Sequence, residues 1–265
     1  MNRKTELFYQ RILEWVLRCS GNRKGFLVGI NAPQGAGKTT LTAALCRKLS
    51  EMGKASASIS IDDFYLTRAE QIALADRYPG NPYLQQRGYP GTHDISLGTR
   101  ILEEIKGNEP GEVLIPRYDK SLHSGKGDRV GVEHWTRISK PLDIIFFEGW
   151  ILGATPVLEE EIPDPALKQV NAFLASYDRW HQALDAFLQI DPEDPLFVLE
   201  WRVEAEEKMT AAGKGGMSAA EIRSYVELFL PAYKIYLPKI RKCPPPGIPS
   251  MRLVIGKNRL PSNFS

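Results

Sequence analysis

The residues best spaced for chemistry form one stretch, Ala32-Pro33-Gln34-Gly35-Ala36-Gly37-Lys38-Thr39-Thr40. Gly35 and Gly37 let backbone N–H groups converge on an anion without a Cβ in the way. Lys38 can reach the outer phosphates of a triphosphate, and the Thr39 hydroxyl can ligate Mg²⁺. Ala32 stands where this pattern usually opens with glycine, a change that costs little where φ is negative. Acidic residues fall at two further positions that such a site needs. Asp62-Asp63 follows residues 55–61, where small and β-branched residues alternate, and Glu148 follows the apolar run 142–147. A carboxylate directly after a buried strand can hold Mg²⁺ directly or through water.

Cations gather in three other places. The loop Arg87-Gly88-Tyr89-Pro90-Gly91-Thr92-His93-Asp94 carries an Arg, a His and an Asp among helix breakers. Residues 117–129 are polar and rich in Lys and Arg, with Arg117, Tyr118, Lys120 and Arg129 among them. Arg202 and Lys208 precede Gly213, Gly215 and Gly216, which is the composition of a mobile lid over 200–217. Arginines and a histidine in such loops suit an acceptor bearing a carboxylate or phosphate.

The elements that must position these residues read as an alternation of strands and helices. Residues 26–30 form a buried strand before the glycine-rich turn, and Leu41, Leu45, Leu49 and Met52 mark the helix after it. That helix points its positive end at the anion. Further strands are expected at 55–61, 113–115, 142–147, 196–199 and 251–255. Helices are expected at 67–76, 96–106, within 164–188 and at 200–210. A last helix opens on the capping box Ser218-x-x-Glu221 and should end or kink at Pro231. Strand–helix alternation predicts an α/β fold with a mostly parallel sheet and helices on both faces. The N-terminal residues 1–19 read as an amphipathic helix with Phe8, Ile12, Trp15, Val16 and Cys19 on one face.

Composition narrows the class. In 265 residues, 43% hydrophobic and 25% charged, there is material for one sizeable core, and a net charge of +2 gives no strong field for nucleic acid. No run is long enough to cross a membrane, so no membrane partner is expected. Three scattered cysteines argue against a disulfide framework and fit a reducing compartment, cytoplasmic or, if a presequence has been removed, organellar. The chain lacks the Asn-Lys-x-Asp guanine motif, the Leu-Ser-Gly-Gly transporter signature and the protein-kinase set. Phosphoryl transfer to a small hydroxyl compound remains, with an ATP-binding regulator as the alternative.

Several motifs together resemble the D-glycerate 3-kinase family, which stands with the phosphoribulokinase, uridine kinase and pantothenate kinase group of P-loop enzymes. They are the 32–40 loop, Ser60-Ile61-Asp62-Asp63-Phe64-Tyr65-Leu66, the 87–94 loop, Pro116-Arg117-Tyr118-Asp119-Lys120-Ser121, Gly127-Asp128-Arg129 and Glu148-Gly149-Trp150. The resemblance implies a single P-loop kinase domain over 1–265, with acceptor-binding insertions at 78–135. It implies ATP and Mg²⁺, and D-glycerate as acceptor; another small hydroxyl metabolite is the alternative. Gln34, Gly35, Ala36, Gly37, Lys38, Thr39 and Thr40 would hold the triphosphate, and Thr39, Asp62 and Glu148 would surround Mg²⁺. Asp62 aligns with the general base, with Asp63 the competing choice, and Arg202 resembles the lid arginine that meets the transferring phosphate beside Lys38. Arg87, His93, Asp94, Arg117, Tyr118, Lys120 and Arg129 fall in the segments expected to bind the acceptor. Plant members tend to carry Asn-Ala-Gly-Ser-His-Asp where this chain has Tyr89-Pro90-Gly91-Thr92-His93-Asp94, and Asn at position 119. Both differences suggest a place nearer the fungal and bacterial members, and the extra acid at 119 suggests that the acceptor could differ.

Overall fold

The computed structural model describes residues 3–211 and 219–261. The chain opens with α1 (Arg3–Ser20), whose Phe8, Ile12, Leu13, Trp15 and Val16 are buried as the amphipathic spacing requires. Then come β1 (Phe26–Asn31), α2 (Lys38–Glu51), β2 (Ser56–Ser60), α3 (Arg68–Arg77) and α4 (Ile95–Lys106). The middle of the chain holds β3 (Gly111–Ile115), β4 (Tyr118–Asp119), β5 (Asp128–Arg129), β6 (Thr136–Lys140) and β7 (Ile144–Gly149). The last third is α5 (Pro165–Phe173), α6 (Asp178–Gln182), β8 (Ala186–Pro192), α7 (Phe197–Ala211), α8 (Ala219–Lys242) and β9 (Ser250–Ile255).

Five strands form the central sheet in the order β2-β7-β1-β8-β9, every pair parallel. β1 lies in the middle, and β1, β7 and β8 are buried along their whole length, so both faces of the sheet are covered. All strands run the same way, so the turns after β1, β2 and β7 open at one edge, where ligands bind in open α/β sheets. That single topological fact brings residues 32–40, 62–63 and 148 together.

Residues 113–115 form a strand as expected, and β3 pairs antiparallel with β6 in a separate two-stranded ribbon. Three expectations are corrected. Residues 186–188, placed in a helix by the apolar run through Leu184 and Phe187, belong instead to the fully buried strand β8. A continuous apolar run carries no period, so the two readings cannot be separated locally. Residues 197–199, expected in a strand, open α7. The last helix also continues past Pro231 and Pro238 to Lys242. Its face of Val226, Phe229, Ala232, Tyr233, Tyr236 and Ile240 is buried, and that packing outweighs the hydrogen bonds lost at proline. Ser218 and the glycines at 213, 215 and 216 lie outside the described residues.

Candidate active site

A cleft of ≈ 340 Å³ opens at the carboxyl edge of β1, β2 and β7, lined by Gln34, Gly35, Lys38 and Thr39 on one side. Asp62, Asp63, Arg117, Tyr118 and Lys120 face it from the other, with Glu148 and Trp150 at its floor and Arg202 and Tyr225 at its rim.

The side formed by residues 34–39 is built by local backbone geometry. Gly35 (φ 77) and Gly37 (φ 91) occupy the left-handed region, where an L side chain is strained. At Gly35 a Cβ would also strike Trp201 Cβ at 2.7 Å. Gly37 is the N-cap of α2 and supplies no side-chain cap, and the first turn holds no acidic residue. The first-turn N–H groups therefore face outward, a ready site for an anion. Lys38 Nζ folds back onto the carbonyls of Ala32 (2.9 Å) and Pro33 (3.2 Å). Burial lowers the Lys38 pKa, against the pull of Glu148 and Asp62. Thr39 Oγ1 donates to Glu148 Oε1 at 3.0 Å. Glu148 is 4% exposed, and burial raises its pKa, opposed by Lys38. Ala36, Gly37 and Thr40 turn away from this cleft towards a second one of ≈ 350 Å³, walled by Phe8, Tyr9, Trp201, Asn258 and Arg259. The two clefts meet at Gly35.

The opposite side is built by long-range pairing. Asp62 and Asp63 sit in a 3₁₀ turn after β2, where Ser60 Oγ accepts from Asp62 N at 3.3 Å. The two carboxylates then diverge. Asp63 ties down the segment after β3, accepting from Tyr118 N (3.4 Å) and pairing with Arg117 (3.5 Å). Asp62 accepts from Tyr65 Oη at 3.0 Å on Oδ1 and from Lys120 Nζ at 2.5 Å on Oδ2. Burial raises the Asp62 pKa, but the Lys120 charge and hydrogen bond overcome it and hold the carboxyl down at about 2. The Asp62 charge in turn raises Lys120.

The other expected acceptor residues lie behind this lining. Residues 64–66 and 92–94 pair like strands, with Leu66 N to Thr92 O at 2.9 Å and Asp94 N to Phe64 O at 2.8 Å. His93 is therefore buried, stacked on Tyr65 with ring centroids 4.5 Å apart, its Nδ1 2.5 Å from Tyr177 Oη. Its Nε2 has no hydrogen-bond partner among the described residues, and burial lowers its pKa to about 4. Asp94 caps α4 through Leu97 N (2.9 Å) and holds Arg129 at 3.2 Å. Arg87 donates to the carbonyls of Gly125 (3.0 Å) and Lys126 and lies over the Tyr118 ring. Asp119 accepts from the backbone and hydroxyl of Ser121 and shapes its own turn, outside the lining. Arg202 lies over the Tyr225 ring, 5.3 Å from its centroid.

Tyr65, Trp150 and Tyr225 were not singled out from the sequence. Tyr65 had a signal, since it stands three residues after Asp62 in a turn. Tyr225 had none, because its apolar helix face reads as core.

No protein-family model matches the chain. Among curated proteins it is 42% identical to the chloroplastic D-glycerate 3-kinase of Arabidopsis thaliana over 83% of this chain and 50% of that protein. It is 33% identical to the uncharacterized kinase mug58 of Schizosaccharomyces pombe over 89% of this chain and 90% of that one. The chain belongs to the D-glycerate 3-kinase family. It spans half the length of the plant relative. The solved D-glycerate 3-kinase of Cryptococcus neoformans superposes with a TM-score of 0.86 at 27% identity, covering 97% of this chain and 98% of its own. This family fold is the P-loop kinase fold expected from the strand–loop–helix pattern. By overall identity the plant protein stands above the fungal one, against the placement that the 89–94 loop and Asp119 suggested.

Proposed function

We propose that this chain is an ATP-dependent kinase that moves the γ-phosphoryl group of ATP onto a hydroxyl of D-glycerate, giving 3-phosphoglycerate. The observation that carries the reading is the cleft itself, where Asp62 faces Lys38, Thr39 and Glu148 with Arg117 and Lys120 beside it. Residues 34–40 cradle the triphosphate, and Lys38 exchanges its two carbonyl partners for phosphate oxygens. The adenine ring takes the second cleft, beside Asn258 and Arg259. Thr39, Asp62 and Glu148 would hold Mg²⁺; a hydroxyl already in contact with a buried carboxylate, and a donor set made of oxygens, suit a hard cation. Bound there, the ion would offset charge on the phosphate oxygens.

Asp62 takes the proton of the acceptor hydroxyl as that oxygen forms its bond to phosphorus. Lys38 and Arg202 offset the charge that develops on the transferring group. Arg117, Tyr118 and Lys120 meet the acceptor's carboxylate. Arg87, His93, Asp94 and Arg129 serve the acceptor from behind, by fixing the loops that carry those three. On this reading residues 78–135 are acceptor-binding insertions in a single kinase domain, and 200–217 form a lid. The case for a different acceptor drew on Asp119, whose carboxylate is engaged by Ser121 away from the cleft. On this reading the acceptor is a small anionic alcohol, and neither nucleic acid nor membrane takes part. Among the described residues no helix is long and apolar enough to cross a bilayer.

The test is ADP release by the purified protein against hydroxy acids, nucleosides and sugars. D-Glycerate should stimulate it and yield 3-phosphoglycerate. Turnover on another acceptor alone would overturn the substrate, and hydrolysis indifferent to every acceptor would overturn the kinase.

A further inference from the structure

The proposed base enters the reaction already partnered. Both oxygens of Asp62 are engaged, Oδ1 by Tyr65 Oη at 3.0 Å and Oδ2 by Lys120 Nζ at 2.5 Å. A hydroxyl that gives up its proton must first come within hydrogen-bond reach of one of them. Tyr65 cannot yield: it is 3% exposed, stacked on His93, edge-on to Tyr118 and bridged to His93 through its backbone. Lys120 can. Its side chain is 56% exposed, on a flexible stem in the turn between the two-residue strands β4 and β5. Oδ2 is therefore the oxygen that changes partners.

What displaces Lys120 decides which alcohols react. A neutral alcohol would have to separate an ammonium from a carboxylate and leave both charges poorly compensated. An alcohol with its own carboxylate gives the ammonium a new partner, and its hydroxyl then takes the vacated place at Oδ2. We propose that Lys120 masks Asp62 in the free protein and that the acceptor's carboxylate lifts the mask, which makes Lys120 the residue that sets specificity for anionic alcohols. The inference rests on the kinase reading above. In the unmasked state the hydroxyl proton passes to Asp62 Oδ2, the oxygen's electron pair forms the bond to the γ-phosphorus, and the bond to the β-phosphate oxygen breaks with its pair leaving on ADP.

A lysine that only bound the carboxylate would predict something different, and one variant separates the two. Kinetics of wild type and Lys120→Gln are compared with D-glycerate and with glycerol, which has the hydroxyls and no charge. Lys120→Gln should lower kcat/KM for D-glycerate by about 100-fold and raise turnover of glycerol by about tenfold, because the base is no longer masked. Lys120→Arg, which keeps the charge, should leave glycerol as poor as in wild type. Glycerol turnover unchanged or lowered in Lys120→Gln overturns the mask.

If wild type fails to phosphorylate D-glycerate while Lys120→Gln gains turnover of glycerol, the acceptor is wrong and the masking pair stands.

Discussion

The donor and acceptor walls of the cleft are held in opposite ways. The donor wall is one contiguous turn between β1 and α2, shaped by two left-handed glycines and resting on a strand buried from end to end. The acceptor wall is assembled from segments distant in sequence and joined by charge. Asp62 meets Lys120, Asp63 meets Arg117, and Asp94 meets Arg129. A wall made of backbone keeps its shape with or without its ligand. A wall whose ion pairs open to solvent at Arg117 and Lys120 can change partners when an anion arrives. On the proposed reading the difference places recognition: the fixed cradle serves the triphosphate, and the exchangeable pairs choose the acceptor.

The largest effects should come from breaking the line between the walls. Asp62→Asn should reduce kcat by roughly 10²- to 10⁴-fold with ATP affinity nearly unchanged, measured by steady-state kinetics and nucleotide titration. Asp63→Asn should mainly raise KM for the acceptor, because Asp63 holds Arg117 and Tyr118. If the two variants exchange behaviour, the base is Asp63. Glu148→Gln should act on the donor side, weakening the response to Mg²⁺ by about 10- to 100-fold in a titration of activity against the ion, with acceptor KM little changed. A middling effect is expected at Asp94→Ala, which removes both the α4 cap and the Arg129 partner. It should cost about 1–2 kcal/mol in denaturant unfolding and raise acceptor KM while sparing ATP affinity. A matched rise in ATP KM would show that the walls are not independent.

The same contrast explains what was legible in the sequence. The donor wall could be read residue by residue because its geometry is local, with glycine conformations, a helix start and a lysine within a few positions. Glu148 and Asp62 were found because strands that end at one sheet edge announce their terminal acids. His93 and Arg129 stood out by type, yet type alone could not tell that one would be stacked under Tyr65 and the other engaged by Asp94. Those facts depend on which loops meet. β8 was hidden for the same reason, since Ala186 to Ile190 is apolar throughout and only the neighbours β1 and β9 make it a strand.

A last contrast concerns acid, and it separates the walls by stability rather than rate. His93 backs the acceptor wall, and His181 is buried behind the sheet edge with its Nε2 accepting from Gly153 N at 2.9 Å. Burial lowers both pKa values from 6.5 to about 4. The unfolded chain takes up a proton at each histidine below about 6.5, whereas the folded chain resists until about 4. Unfolding therefore binds protons in this window. The stability contributed by neutral His93 and His181 is fully present above pH 6.5 and is lost as pH falls towards 4, at about 1.4 kcal/mol per pH unit for each. Denaturant unfolding from pH 7 to 4.5 should show this slope for wild type, and His93→Gln and His181→Gln should each make it shallower. If the acceptor wall is the looser half, hydrogen exchange at pH 5 should rise first in residues 87–94 and 117–129, before the amides of β1 and α2. Simultaneous loss of protection in both walls would mean that the ion pairs and the backbone cradle form one cooperative unit, and the contrast between them would then be one of chemistry alone.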